Sequence, residues 1–299
     1  LKSKKLLLAV IVTLVVGLLI GVRVAQVAQQ RYVKRHYQFS STPTIFVHGW
    51  TGGKASEQLM VDSAEDLHVA KHKMTIRVRA DGTLKIKGHL NHRQKNPIIE
   101  VIFNNNRAGE LQDAAWLKTI MRRLKTEYGV TRYNAVGHSM GAYAWTYYNM
   151  DVGNQKAYPK LNRAVLIAGP YDGIINNHKL NQPLTLPLSK LWDDHPNENR
   201  LLKNGMPKII RPEYKLLLKL RDRFPKQAKV LNIYGDLNDG SHSDGVVTMP
   251  SARSLGYLLR NQVASYQEYR VTGPTAQHSK LHQHNLTVNR TLINFLWGK

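Results

Sequence analysis

The chain has 299 residues, 42% of them hydrophobic, enough to bury one sizeable core in a single α/β domain and to exclude disorder as the default state. Forty-three Lys and Arg against 20 Asp and Glu leave a formal charge of +23, which favours association with polyanions such as nucleic acid, anionic lipid or acidic cell-envelope polymers. The absence of cysteine excludes a disulfide framework, a thiolate nucleophile and a Cys-type zinc site in any compartment.

Residues 1–5 are a short basic tail carrying Lys2, Lys4 and Lys5, and the uncharged run 6–22 is at the short end of what crosses a bilayer as a helix. A cleaved signal peptide, giving a secreted product, is the alternative to a signal-anchor. Small residues are not paired three and one positions before any cleavage point around Ala25 to Ala28, so an uncleaved single-pass anchor is preferred. Arg23, Arg31, Lys34 and Arg35 nearly balance the N-terminal lysines, leaving orientation weakly specified. An anchor followed by an enzyme-like domain favours a body outside the cell membrane. Residues 23–41 read as a basic linker, either at a membrane surface or as an ordinary solvated tether.

From Pro43 onward the periodicity alternates between strand and helix. Residues 44–47 predict a strand and 55–69 a helix; 74–79 and 83–87 flank Asp81-Gly82, a strong hairpin signal. A strand is expected at 98–103, a long helix at 111–128 stopped by Gly129, a strand at 133–136 and a helix at 142–150. Further strands are expected at 164–168, 230–234 and 266–271, with a closing helix at 288–297. This alternation predicts a mostly parallel sheet covered on both faces within a domain spanning 42–299. The pattern breaks over 172–225, which reads as an insertion with one helical segment at 214–221. There Leu184, Leu186, Leu188, Leu191 and Trp192 read either as an acyl pocket or as local core. Lys215, Lys219, Arg221, Arg223 and Lys226 read either as a solvated face or as a cationic rim drawing anions towards an active-site mouth.

The chemistry is carried by Gly137-His138-Ser139-Met140-Gly141. A nucleophile on a sharp strand-to-helix turn is strained, and its neighbours two before and two after must be small for the backbone to approach. The helix behind it supplies peptide groups that stabilise developing negative charge. Ile45 to Trp50 is a strand ending in His48-Gly49, the position from which the second donor of an oxyanion hole comes, so the hole is assigned to the backbone amides of Trp50 and Met140. The acid is expected beyond the strand at 230–234, where Asp236, Asp239 and Asp244 compete, with Asp172, after the preceding strand, a further possibility. That Asp-rich loop fails the calcium-loop spacing. For the base, His278 competes with His282 and His284; the step from His278 to His282 could place two metal ligands on one helical face, but no Glu lies between them, so neither a metal nor another cofactor is expected. His48 and His138 read as packing or supporting groups.

With Phe-Val-His-Gly (46–49), Gly-His-Ser-Met-Gly (137–141), Ser-Asp-Gly-Val-Val (243–247) and His-Ser-x-Leu-His (278–282) in this order, the chain from about Thr42 onward resembles a lipase-like group of uncharacterised α/β-hydrolases assigned to the cell surface of Gram-positive bacteria. The resemblance implies an α/β-hydrolase fold with a lid-like insertion, places the acid at Asp244, fits an N-terminal membrane anchor, and leaves the substrate open. The expectation is therefore a membrane-anchored, outward-facing serine hydrolase acting on carboxylic esters, with Ser139 as nucleophile, His278 as base and Asp244 as acid. An acyltransferase using the same residues is the first alternative. A second, of another class, is a surface-binding module for anionic envelope polymers or membranes, in which the charge is the working feature; nucleic acid is disfavoured, because the basic residues are dispersed and no recognition module is present.

Overall fold

The computed structural model describes residues 2–175 and 193–299. Ten strands are described in chain order: β1 (Thr44–Val47), β2 (Lys71–Val78), β3 (Leu84–Gly88), β4 (Pro97–Phe103), β5 (Arg132–His138), β6 (Lys160–Ile167), β7 (Ile174–Ile175), β8 (Asp193–Asp194), β9 (Lys229–Asp236) and β10 (Ser265–Thr272). Eight form one sheet in the order β10-β9-β6-β5-β1-β4-β2-β3, parallel throughout except for the β2-β3 hairpin. At the hairpin turn Gly82 takes φ +84° and the Asp81 carboxylate accepts from the Thr83 amide at 2.9 Å, as the Asp-Gly pair predicts.

The helices are α1 (Lys2–His36), α2 (Gln58–Asp66), α3 (Glu110–Tyr128), α4 (Met140–Val152), α5 (Pro212–Leu220), α6 (Met249–Arg253), α7 (Leu255–Leu259), α8 (Lys280–Gln283) and α9 (Leu286–Trp297). They cover both faces of the sheet. Along the central strands alternate residues enter different cores: Ile45, Val47, Ile99, Val101 and Ala135 pack towards α3 and α4, whereas Phe46, Ile98 and Val136 pack towards α2 and α9. Burial of both faces is why these strands read as unbroken apolar runs rather than alternating ones.

Because the main strands are parallel, β1, β5, β9 and β10 all end at one edge of the sheet, and the loops that follow them meet there. The opposite edge holds the strand starts. Arg223 approaches this starting edge: its guanidinium donates to the Asp151 carbonyl and its own carbonyl lies beside Gly153, past the end of α4. Gln227 likewise donates to Leu161 at the start of β6. The segment 221–227 thus belongs to the starting edge, which corrects the reading of Arg221, Arg223 and Lys226 as a rim of the mouth. The leucines at 184, 186, 188 and 191 and Trp192 lie outside the described residues.

The expected linker is also corrected. No Gly or Pro interrupts the sequence between Arg23 and His36, and α1 runs through it without a break. Val33 and Tyr37 are buried against the α9 side of the core. Tyr37 bridges Gly298, the Gln38 amide donates to Trp297 O at 2.8 Å, and the Lys299 amide donates to His36 O at 3.1 Å. The helix therefore enters the body through a hydrogen-bonded seam and not through a tether.

Candidate active site

Ser139 closes β5 and precedes α4 with φ 53° and ψ −122°, a left-handed conformation that costs a non-glycine residue of order 1–3 kcal/mol. The small neighbours make this turn possible. A side chain at Gly141 would sit 2.5 Å from Val47 O and 2.6 Å from His48 O, and one at Gly137 would sit 2.7 Å from the Gly141 backbone. Gly49 is equally tight: a Cβ there would lie 2.9 Å from Ser139 Cβ, so the loop after β1 rests directly on the serine.

Ser139 Oγ donates to His278 Nε2 at 2.9 Å, and His278 Nδ1 donates to Asp244 Oδ2 at 2.8 Å. The other carboxylate oxygen of Asp244 accepts the amides of Val246 at 2.9 Å and Val247 at 2.7 Å, so the acid is oriented from behind by its own loop. The two loops are joined by the His278 amide donating to Asp244 O at 2.9 Å. Gly235 lets them converge, since a Cβ there would lie 2.8 Å from Asp244 Cβ and collide with the Ala276 carbonyl. Exposure is 7% for Ser139, 7% for His278 and 1% for Asp244, leaving the hydroxyl and imidazole at a narrow opening and the acid sealed.

The competing acids are engaged elsewhere. Asp236 pairs with Arg270 and accepts the Asn238 amide, and the exposed Asp239 closes its own turn with Ser241. Asp172 accepts the Arg211 amide at 2.8 Å and the Asn199 side chain at 2.7 Å; burial pushes its carboxyl up to about 7. Arg211 also reaches Asp194 at 2.9 Å and Glu198 at 2.7 Å, while Thr248, just past the acid loop, donates to Asp194 at 2.6 Å. This network ties the insertion to the loop that carries Asp244. It was not legible in the sequence, where its members are scattered over more than seventy positions.

The amides of Trp50 and Met140 donate no hydrogen bond among the described residues, and they flank the Gly49–Ser139 contact. The loop bearing Trp50 is held by the Thr51 amide donating to Asn106 O at 2.9 Å and by Asn106 Nδ2 donating to Gly52 O at 2.8 Å. His48 is also fixed: the Phe103 amide donates to its Nε2 at 3.1 Å, so its Nδ1 is the protonated nitrogen and donates to Gly49 O at 2.8 Å. Burial lowers its pKa, and as a neutral ring it props the loop after β1 against the end of β4.

Behind His278 lies a cluster the sequence reading missed. His138 donates from Nε2 to His278 O at 3.1 Å and stacks on His282 with ring centroids 3.7 Å apart. His282 donates from Nδ1 to Ser56 O at 2.7 Å. Burial drives His138 well below its ordinary value and His282 down to about 4, so both rings are neutral near pH 7. Glu57 is buried beside them, its carboxyl pushed up to about 8 by burial and then by the Glu100 charge; its Oε1 lies 3.8 Å from His282 Nδ1, and neither oxygen has a hydrogen-bond partner among the described residues. Among the described residues, Glu57, His138 and His282 are the ones that could hold a metal ion, with one donor atom from each within 4.8 Å of the others. The stacked rings, only 25° from parallel, direct their in-plane lone pairs side by side rather than at one point, a poor fit to a tetrahedral ion. The one sequence signal was the pair of histidines at 278 and 282; they face different partners.

A parallel sheet with helices on both faces and a serine, histidine and acid delivered by the loops after β5, β10 and β9 defines the α/β-hydrolase class. The chain belongs to the family described as alpha/beta hydrolases of unknown function (DUF915), whose model matches residues 32–299 and so includes Val33 and Tyr37 at the root of α1. Among solved structures it is similar to a gene product of Listeria innocua, at 28% identity and a TM-score of 0.69, covering 85% of this chain and 93% of that one. It is also similar in fold to a protein of Lactobacillus plantarum WCFS1 provisionally named a cell surface hydrolase, at 23% identity and a TM-score of 0.60, covering 85% and 88%. No curated protein matches the sequence.

Proposed function

We propose that the protein is a membrane-anchored serine hydrolase that cleaves carboxylic esters through an acyl-enzyme. The observation that carries this reading is the hydrogen-bonded chain Ser139 Oγ, His278 Nε2, His278 Nδ1, Asp244 Oδ2, with links of 2.9 and 2.8 Å, set on a strained strand-to-helix turn. Ser139 Oγ attacks the acyl carbon as His278 Nε2 takes its proton, and the carbonyl oxygen becomes an oxyanion held by the amides of Trp50 and Met140. Asp244 holds the imidazole in the Nδ1-protonated form and stabilises the imidazolium. His278 then returns the proton to the departing alkoxide, which leaves as the alcohol. A water activated by the same nitrogen attacks the acyl-enzyme, releasing the acid and restoring Ser139.

The apolar part of α1 would anchor the body to a cell membrane, and the enzyme-like domain that follows it favours the outer face. In α1, Leu6, Leu14 and Leu18 are each more than 65% accessible, covered by little among the described residues. An 18-residue window of this helix has a mean hydropathy of 2.2 and none of it is buried.

A fluorophosphonate probe tests the nucleophile. It should label the chain at Ser139 and leave Ser139→Ala unlabelled; equal labelling of the variant would remove Ser139 from the mechanism. Assay of both proteins on esters of graded acyl length then measures substrate preference, and added alcohol acceptors distinguish acyl transfer from hydrolysis.

A further inference from the structure

The parallel sheet sorts charge between its two edges. Lys71, Arg132, Lys160 and Lys229 are each the first residue of a strand, Lys95 stands two before β4, and Lys299 follows α9; all six are exposed. Register places them on one edge: Lys71 lies opposite Pro97, Arg132 opposite Lys160, and Lys229 opposite Arg163 and Ser265. Arg223 and Lys226 join them from the segment that ends the insertion and leads into β9. Acids at this end are largely spoken for: Glu127 pairs with Arg123 at 2.7 Å, Asp151 with Lys118 at 2.8 Å, Asp222 with Arg221 at 3.5 Å, and Glu65 accepts the His72 amide at 2.8 Å, while Asp66 and the Asp222 carboxylate stay exposed. The mouth edge carries Asp172, Asp194, Asp236, Asp239 and Asp244, all but Asp239 buried, and its cations Arg211 and Arg270 are paired with them, leaving Lys54 and Lys280 beside the mouth.

The same starting edge receives α1. Lys299 Nζ donates to Lys34 O at 2.5 Å, so the last turn of the helix, with Lys34 and Arg35, is continuous with the basic edge, and Arg31 stands one turn before it. Helix rise sets the spacing. The 17 uncharged residues 6–22 rise about 26 Å, at the short end for a hydrocarbon core of about 30 Å, so Arg23 stands at its boundary and about five more residues cross the headgroup layer to Ala28. From Ala28 to Tyr37, which is buried in the body, the chain climbs about 14 Å, within about two Debye lengths in physiological salt.

We infer that the starting edge of the sheet is a docking surface for anionic phospholipid headgroups of the bilayer that holds α1; this rests on the reading of α1 as a membrane anchor. Two features of the fold favour a lipid surface over a soluble polyanion: the patch is continuous with the apolar helix, and α1 holds it within electrostatic reach of the headgroups. The mouth then points away from that bilayer, farther from it by the length of the sheet, about 23 Å for the seven residues of β5. The esters that reach Ser139 come from the aqueous or envelope side rather than from the anchoring leaflet.

The test uses the full chain reconstituted into vesicles of phosphatidylcholine alone or with about one-third phosphatidylglycerol, probed with a membrane-impermeant amine reagent and read residue by residue by mass spectrometry. The chain should float with both vesicles. Phosphatidylglycerol should slow modification of Lys71, Lys95, Lys160 and Lys229 by about threefold or more, with relief at high salt, and leave Lys54 and Lys280 beside the mouth unchanged. The combined substitution Lys71→Glu, Lys95→Glu, Lys160→Glu and Lys229→Glu should still float and still hydrolyse a soluble ester, yet lose the phosphatidylglycerol-dependent protection of Lys226 and Lys299. Equal modification on both vesicles by a chain that floats would overturn the docking surface and leave the anchor standing. Failure to float would overturn both. Protection by soluble polyphosphate equal to that by phosphatidylglycerol vesicles would overturn the assignment to lipid.

Discussion

The two edges of the sheet use polar residues in opposite ways. At the mouth, Glu57, His138, Asp172, Asp244, His278 and His282 are all buried, and each is a costly commitment that local hydrogen bonds or a shifted protonation state must offset. At the starting edge the lysines and arginines are solvated, each contributes little to stability, and their effect is a collective field. A polar residue's burial, more than its type, therefore decides whether one substitution is ruinous or silent. Chemistry that needs defined proton positions is built from the first kind, and attraction to a surface from the second.

The largest contrast should come from Asp244→Asn, which keeps the shape of the acid loop but removes the charge facing His278 Nδ1. Turnover should fall on the order of 10⁴-fold with little change in Tm; retained activity would move the acid elsewhere. Next is Gly235→Ala, where the new Cβ meets the Ala276 carbonyl and lies 2.8 Å from Asp244 Cβ. Overpacking of this kind costs about 1–3 kcal/mol, so Tm and activity should fall together, unlike the first variant.

Glu57→Gln probes the buried cluster through pH. The folded-state value of about 8 lies above the ordinary 4.5, so the folded protein keeps a proton that the unfolded chain has released between these values. Glu57 should therefore make stability decline as pH rises from about 4.5 to about 8; the buried carboxyls of Asp172, Glu110 and Asp113 are raised too and add declines of the same sign, so the variant should show a shallower decline than the parent. His282 acts in the reverse sense: lowered to about 4, it costs stability as pH falls below about 6.5, so the Glu57 effect is cleanest above that pH. Denaturant melts of both proteins between pH 6.5 and 9 measure it. The smallest effect is expected at the starting edge, where Lys160→Gln or Lys229→Gln should change stability by no more than about 0.5 kcal/mol and leave hydrolysis of a soluble ester unchanged. A large loss there would erase the distinction between the edges.

Much of this was legible before any coordinates. The apolar runs at 44–47, 98–103 and 230–234 and the helical period between them dictate a sheet buried on both faces, and the structure has it. Ser139 and His278 could be named because a small-residue turn and a loop before the last helix are local features. Boundaries moved where tertiary contacts took over: β2 begins at Lys71 because it pairs with Pro97, and α2 is shorter than the 55–69 expected, since Ser56 and Glu57 turn inward to the buried histidines.

By itself the sequence determined what depends on neighbours along the chain: the strand and helix periods, the turn that carries Ser139, the apolar run of α1, and the net charge. Only the tertiary structure decided what depends on residues far apart. It set Asp244, alone of the four aspartates considered, against His278; it joined Glu57, His138 and His282; it carried α1 into the body at Tyr37; and it gathered dispersed lysines onto one edge. The physical reason is that periodicity specifies which face of an element is buried, whereas register and parallel pairing, fixed cooperatively by the whole core, specify which ends of distant elements meet.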